Sequence, residues 1–289
     1  MPDRVNQVEH VEILLTSILL GSFTGTVLAL TGAGGTIIAV PLLMFGLNLV
    51  VAEAAPIALL AVCLSSAMGA LFAHRQGKVR YRAAGFIAIT GVITAPIGTW
   101  LAQKLPNAPL TIVFALVLFY VAADILRQSK KQNDKAIVTS DSQSHSYSIP
   151  CQLEYTRGRL IWTWPCARAL AFSGILTGFL SGLLGVGGGF VVVPALKKAT
   201  NLQIQSIFAT SLAVIALISA IGVTSVALMG GMNWSIALPF AAGALIGMLI
   251  GRIFASYLAG QKLQQSFAVI AICISVSMII RVIWAAGLF

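Results

Sequence analysis

Two short glycine clusters carry the only arrangement in this chain that suggests specific chemistry. Thr31, Gly32, Gly34, Gly35 and Thr36 form one, and Gly185, Gly187, Gly188 and Gly189 form the other. Each cluster reads Gly-x-Gly-Gly inside apolar sequence, with a proline six residues after the second glycine of the pair, Pro41 and Pro194. Glycine accepts positive φ and lets a ligand approach the backbone. A helix starting just after such a turn points free N–H groups and a partial positive charge at whatever lies there. The chemistry expected of such turns is the binding of a small anion by neutral donors, with the hydroxyls of Thr31 and Thr36 adding to the first. Ser66 and Ser219, polar residues inside apolar runs, are further candidates to face the same interior.

The clusters are copies of one another. Gly21 to Leu49 aligns without a gap on Gly174 to Leu202, at a constant offset of 153 and with 12 identities in 29. Ser66 and Ser219 are partners at the same offset, as are Asn48 and Asn201. The asparagines are expected to cap the next element at the membrane surface. Ser65, Thr210 and Ser211 also interrupt apolar runs and are expected to bond their own helices.

The elements that hold these residues are membrane helices. The chain is 58% hydrophobic and 9% charged, against about a quarter charged in a soluble domain. Apolar runs at Ala54–Ala73, Ala83–Ala102, Pro109–Leu126, Ile204–Met229, Trp234–Leu258 and Phe267–Trp284 approach the roughly 20 residues that cross a bilayer as helix. The net charge of +10 resides in short loops between them, which argues for orientation signals and against nucleic acid as a partner. The N-terminal stretch, with Asp3, Glu9 and Glu12 against Arg4, does not read as a signal peptide. Four scattered cysteines, two of them (Cys151 and Cys166) in the central linker, form neither a disulfide framework nor a metal-binding pattern, and no cofactor is expected.

The sequence divides into a first membrane repeat at 1–127, a polar linker at 128–167 and a second membrane repeat at 168–289. The first part of the linker is too polar to order itself. Trp162 and Trp164, set among Arg157, Arg159 and Arg168, suit a segment at headgroup level. From Gly185 to Leu196 only 12 residues precede Lys197, roughly 18 Å of helix and too little to cross. The expected fold is therefore an all-α polytopic bundle of about 8–10 hydrophobic segments. Each repeat would hold one glycine-turn re-entrant hairpin, with first arms Ile13–Leu30 and Ala169–Leu184, and three full spans.

An odd number of crossings per repeat inverts the second against the first. With both termini outside and the linker cytoplasmic, 15 basic residues fall inside and 3 outside. Merging each glycine segment into a broken span gives 13 against 5, so the inverted layout fits the charge bias better. Inverted repeats of this kind bring discontinuous helices together near the midplane.

At these residues the chain resembles the TauE/SafE family of sulfite and organosulfur-anion exporters, through 178-GFLSGLLGVGGGFVVVP-194, its weaker partner 25-GTVLALTGAGGTIIAVP-41 and the two-half layout. The resemblance implies an inner-membrane transporter of sulfite, a sulfonate or thiosulfate. The long linker and Thr36 in place of the second copy's Gly189 depart from the commonest pattern. An anion channel using the same donors is the alternative, and a homodimer is the expected assembly. Glu53, Asp124 and Arg252 lie near span ends, His74 opens a basic loop, and no acidic pair at mid-depth forms a proton relay. Dinucleotide and serine-protease readings both fail: Phe190 stands where the fingerprint needs glycine, and all three histidines lie outside the spans.

Overall fold

The computed structural model describes residues 2–31, 35–77, 79–137, 151, 153–154, 159–160, 163–200, 204–258 and 261–285. Ten helices make up almost all of it: α1 (Pro2–Thr31), α2 (Gly35–Gly46), α3 (Val51–Arg75), α4 (Tyr81–Lys104), α5 (Asn107–Ile137), α6 (Trp164–Leu184), α7 (Gly189–Ala199), α8 (Ile204–Leu228), α9 (Trp234–Leu258) and α10 (Gln261–Ala285). In the linker, β1 (Leu153–Glu154) and β2 (Arg159–Leu160) form a minimal antiparallel pair. Among the described residues seven helical segments are long and apolar enough to cross a membrane, contributed by α1, α3, α4, α5, α6, α8 and α9. The chain is a multi-pass membrane protein.

The repeat carries through element by element. Shifting α3 by 153 gives the bounds of α8, and the same shift places α4 on α9 to within one residue. The packing is exchanged between halves: α1 lies along α9, α6 lies along α4, and α3 meets α8. Small residues permit the close approach. A Cβ on Gly174, Gly178 or Gly182 would fall within 2.5 Å of an oxygen of Ile87, Gly91 or Ala95 respectively, or of the Thr90 hydroxyl beside them. Gly25, Gly243 and Gly247 meet the carbonyls of Ala244, Ile18 and Ser22 in the same way. In lipid, where hydrophobic contrast between helices is absent, backbone-to-backbone packing of this kind is a main source of adhesion.

Five expectations change. α5 continues through the polar sequence that was expected to be unordered, as far as Ile137, because Lys, Gln and Ala prolong a helix already nucleated in the membrane. Cys151 and Cys166 are joined as a disulfide with Cα atoms 5.1 Å apart. A sequence separation of 15 says nothing of that proximity, which arises because the Cys151 N–H bonds to the Ala199 carbonyl and draws the linker onto the end of α7. Asn48 adopts φ 53 and turns the chain between α2 and α3, whereas Val50 is the N-cap of α3; its partner Asn201 lies outside the described residues. The apolar part of α10, Ala268–Trp284, is shorter than the other spans. The entering arms are also longer than expected, at 21 apolar residues in α1 (Val11–Thr31) and 21 in α6, while α2 and α7 have only 12 and 11.

Candidate functional site

The second glycine turn is resolved residue by residue. α6 ends at Gly185, which takes φ +71 and bonds its N–H to the Ser181 carbonyl. Gly187 and Gly188 follow at φ +66 and +67, and α7 starts at Gly189. Three left-handed residues in four cost little only because they are glycines. All of 185–189 is buried.

Residues of α3, α6 and α8 close around this turn. A Cβ on Gly187 would touch Val62, Ile215 and the Ser219 hydroxyl. Val62 and Ile215 are each the twelfth residue of a 25-residue helix, α3 and α8, and are partners at the interval of 153. Gly185 lies against Ala55 and Gly188 against Thr177. Parallel packing of α6 on α4 brings Leu184 level with residues one to two turns before the end of α4 at Lys104. A recess between Ala55 and Pro56 of α3, Thr99 and Gln103 of α4 and Val226 of α8 is also lined by Gly185.

The described ends of the first turn are tied together. Thr31 Oγ1 accepts the Gly35 N–H at 3.0 Å and donates to the Val27 carbonyl at 2.7 Å, so it caps the start of α2. Gly35 packs directly on the Leu28 backbone. Thr36 is fully buried. Gly32 and Gly34 lie outside the described residues. α2 and α7 touch, so the return arms of the two turns meet.

Of the predicted serines, Ser66 donates to the Val62 carbonyl at 2.5 Å, and Ser219 faces Gly187 with no partner among the described residues. Thr210 accepts the Arg80 N–H at 3.2 Å and donates to Ser206, and Ser211 donates to Phe208. Sequence reasoning passed over Thr177, which is buried beside Gly188 and has no hydrogen-bond partner among the described residues. The signal was available: Thr177 is the repeat partner of Thr24, each followed by glycine. Among the described residues no cluster of His, Cys, Asp or Glu could hold a metal ion. Beside Gly187 and Gly188 lie Ser219 and Thr177, whose neutral hydroxyls are of the kind that can hold an anion without a deep electrostatic trap.

A family model described as Sulfite exporter TauE/SafE matches residues 17–278, which include both glycine turns. The chain belongs to the TauE/SafE family. Similar proteins are a "Probable membrane transporter protein" of Xylella fastidiosa strain Temecula1, 29% identical over 96% of this chain and 98% of its own length, and the "Probable membrane transporter protein YunE" of Bacillus subtilis strain 168, 26% identical over 81% and 85%. No solved structure matches the chain closely enough to extend the comparison. Family membership makes this chain a membrane transporter.

Proposed function

We propose that this TauE/SafE protein exports a small sulfur oxyanion such as sulfite, a sulfonate or thiosulfate across the inner membrane, binding it where the two glycine turns converge. The observation that carries this reading is the position of Gly187, wedged between the middle residues of α3 and α8 with the Ser219 hydroxyl 3.0 Å from where its Cβ would stand. On this reading the halves are inverted repeats, and α1–α2 and α6–α7 are re-entrant hairpins. Both termini lie outside, the linker is cytoplasmic, and the Gln103–Val226 recess opens outward. Thr31, Gly32, Gly34, Gly35, Thr36 and Ser66 form the first wall of the site. Gly185, Gly187, Gly188, Gly189 and Ser219 form the second. The protein works as a homodimer without a cofactor, and alternating closure of the two sides distinguishes it from a channel.

The testing experiment is thermal unfolding of the detergent-purified protein across sulfite, thiosulfate, taurine, sulfoacetate, sulfate, nitrate and lactate. A ligand that binds the native state must raise the midpoint. An upward shift confined to one or two sulfur oxyanions is expected; stabilisation by nitrate or lactate alone would overturn the substrate class.

A further inference from the structure

The halves carry two matched hydroxyl pairs, Thr24 with Thr177 and Ser66 with Ser219, each separated by 153 positions. All four side chains are buried. The first-half members are committed to their own helices, Thr24 Oγ1 donating to the Leu20 carbonyl at 2.9 Å and Ser66 Oγ to the Val62 carbonyl at 2.5 Å. The second-half members, Thr177 Oγ1 and Ser219 Oγ, have no partner among the described residues. Buried hydroxyls are nearly always paired, so an unpaired one calls for a missing partner.

Two further unpartnered hydroxyls belong to the same place. Ser181 follows Thr177 by one helical turn on α6 and directly precedes Gly182, which with Gly185 lines the recess. Ser65 follows Val62 by three residues and shares the α3 face that meets Gly187. The helix starts differ in the same sense. Thr31 caps the N–H of Gly35 at the start of α2, but the start of α7 has no side-chain cap, because Leu184 stands where Thr31 stands in the first copy. The counterpart of Ser181 is Leu28, packed with Leu212 and Met248.

We infer that the anion is held by the second turn alone: by the hydroxyls of Ser65, Thr177, Ser181 and Ser219 and by the uncapped N–H groups that open α7. The first half, in which Thr31 caps the N–H of Gly35 and the hydroxyls of Thr24 and Ser66 bond their own helices, is the structural partner against which the second turn is braced. A site made of several neutral donors takes a small anion with several acceptor oxygens, such as the pyramidal or tetrahedral oxyanions of sulfur. This rests on the proposed function and narrows it to specific atoms.

The test is flux of radiolabelled sulfite and thiosulfate in proteoliposomes. Thr177→Val and Ser219→Ala should each raise the half-saturating concentration about tenfold, the factor for one lost hydrogen bond in a buried site. Thr24→Val should stay within about twofold of the wild type, as its hydroxyl serves only its own helix. Thr177→Ser, which restores a hydroxyl, should recover most of the loss, showing that a missing donor and not misfolding is responsible. Equal damage from Thr24→Val and Thr177→Val, or unchanged saturation in both Thr177→Val and Ser219→Ala, would overturn the one-sided site. Gly187→Leu separates the two levels of the argument: unimpaired flux there would remove the site itself, whereas impaired flux with symmetric threonine effects would remove only its asymmetry.

Discussion

The thiol of Cys63 points at the carbonyl oxygen of Ala216, 3.7 Å away, and the two residues are separated by 153 positions in the chain. A residue that touches its own repeat counterpart must lie beside any axis that relates the two halves. Val62 and Ile215, one position earlier in each helix, frame Gly187, so the second turn sits beside the same line. With Cys273 replaced, an Ala216→Cys variant should therefore form a disulfide with Cys63 under copper-phenanthroline, read as loss of both thiols by mass spectrometry. Two persistently free thiols would mean that α3 and α8 are further apart than described.

Gly187→Leu should abolish transport without affecting membrane insertion. The backbone there has φ +66 and a Cβ would stand 2.7 Å from the Val62 side chain. The left-handed conformation alone costs a side-chain-bearing residue about 1–2 kcal/mol. Expression and detergent extraction at wild-type levels, together with absent flux, is the expected pattern.

The glycine stripes make a stability prediction that does not depend on substrate. At Gly247 an added Cβ would stand 1.9 Å from the Ser22 carbonyl oxygen, a collision between two backbones that no rotamer relieves. Gly247→Val should lower stability by about 1–3 kcal/mol or more, the range for overpacking. Gly85, on α4, has nothing within 4 Å of its Cβ position, and Gly85→Ala should raise stability by about 0.5–1 kcal/mol through helix propensity. Thermal unfolding in one detergent checks both; equal effects would argue against the α1–α9 packing.

Loop charge and the disulfide lead to different compartments. The orientation proposed from charge bias puts the linker in the cytoplasm, where thiols are kept reduced, whereas a bridge such as Cys151–Cys166 persists in oxidising surroundings. The proposed orientation predicts that both cysteines are thiols in growing cells and pair only after an oxidant is added. Alkylation of denatured cell extracts, before and after diamide, should find two additional reactive thiols before treatment. A bridge already present in untreated cells would place the linker outside and reverse the orientation.

Much of the fold was legible because membrane helices announce themselves by length and composition, and because the offset of 153 lets each half check the other. The span bounds of α3, α4, α8 and α9 follow closely from apolar run lengths, and the position of the second turn from its glycines. The site was legible as a place but not as a set of donors. Composition shows Ser66 and Ser219 as equivalents, whereas their hydroxyls differ in what they bond, a property of packing around each helix. Thr177 was missed because one threonine in an apolar helix ordinarily bonds its own backbone. The disulfide was missed because cysteine spacing carries no Cα distance, and the extension of α5 because low hydropathy was read as absence of structure when it reports only absence of membrane.

The exchanged packing also sets an order of assembly during synthesis. α1 finds its groove on α9, and about two hundred residues of chain separate the end of one from the start of the other. At about 5–20 residues per second, the ribosome takes roughly 10–40 s to supply that partner. Until then Gly21 and Gly25 stand on a helix whose matching surface does not yet exist. α6 has no such wait, since α4 is already in place when it emerges. The second hairpin can therefore dock as it is made, and the first is the last piece to close: a transporter truncated before α9 leaves its own N-terminal helix without a seat, and supplying the missing half as a separate chain should restore it.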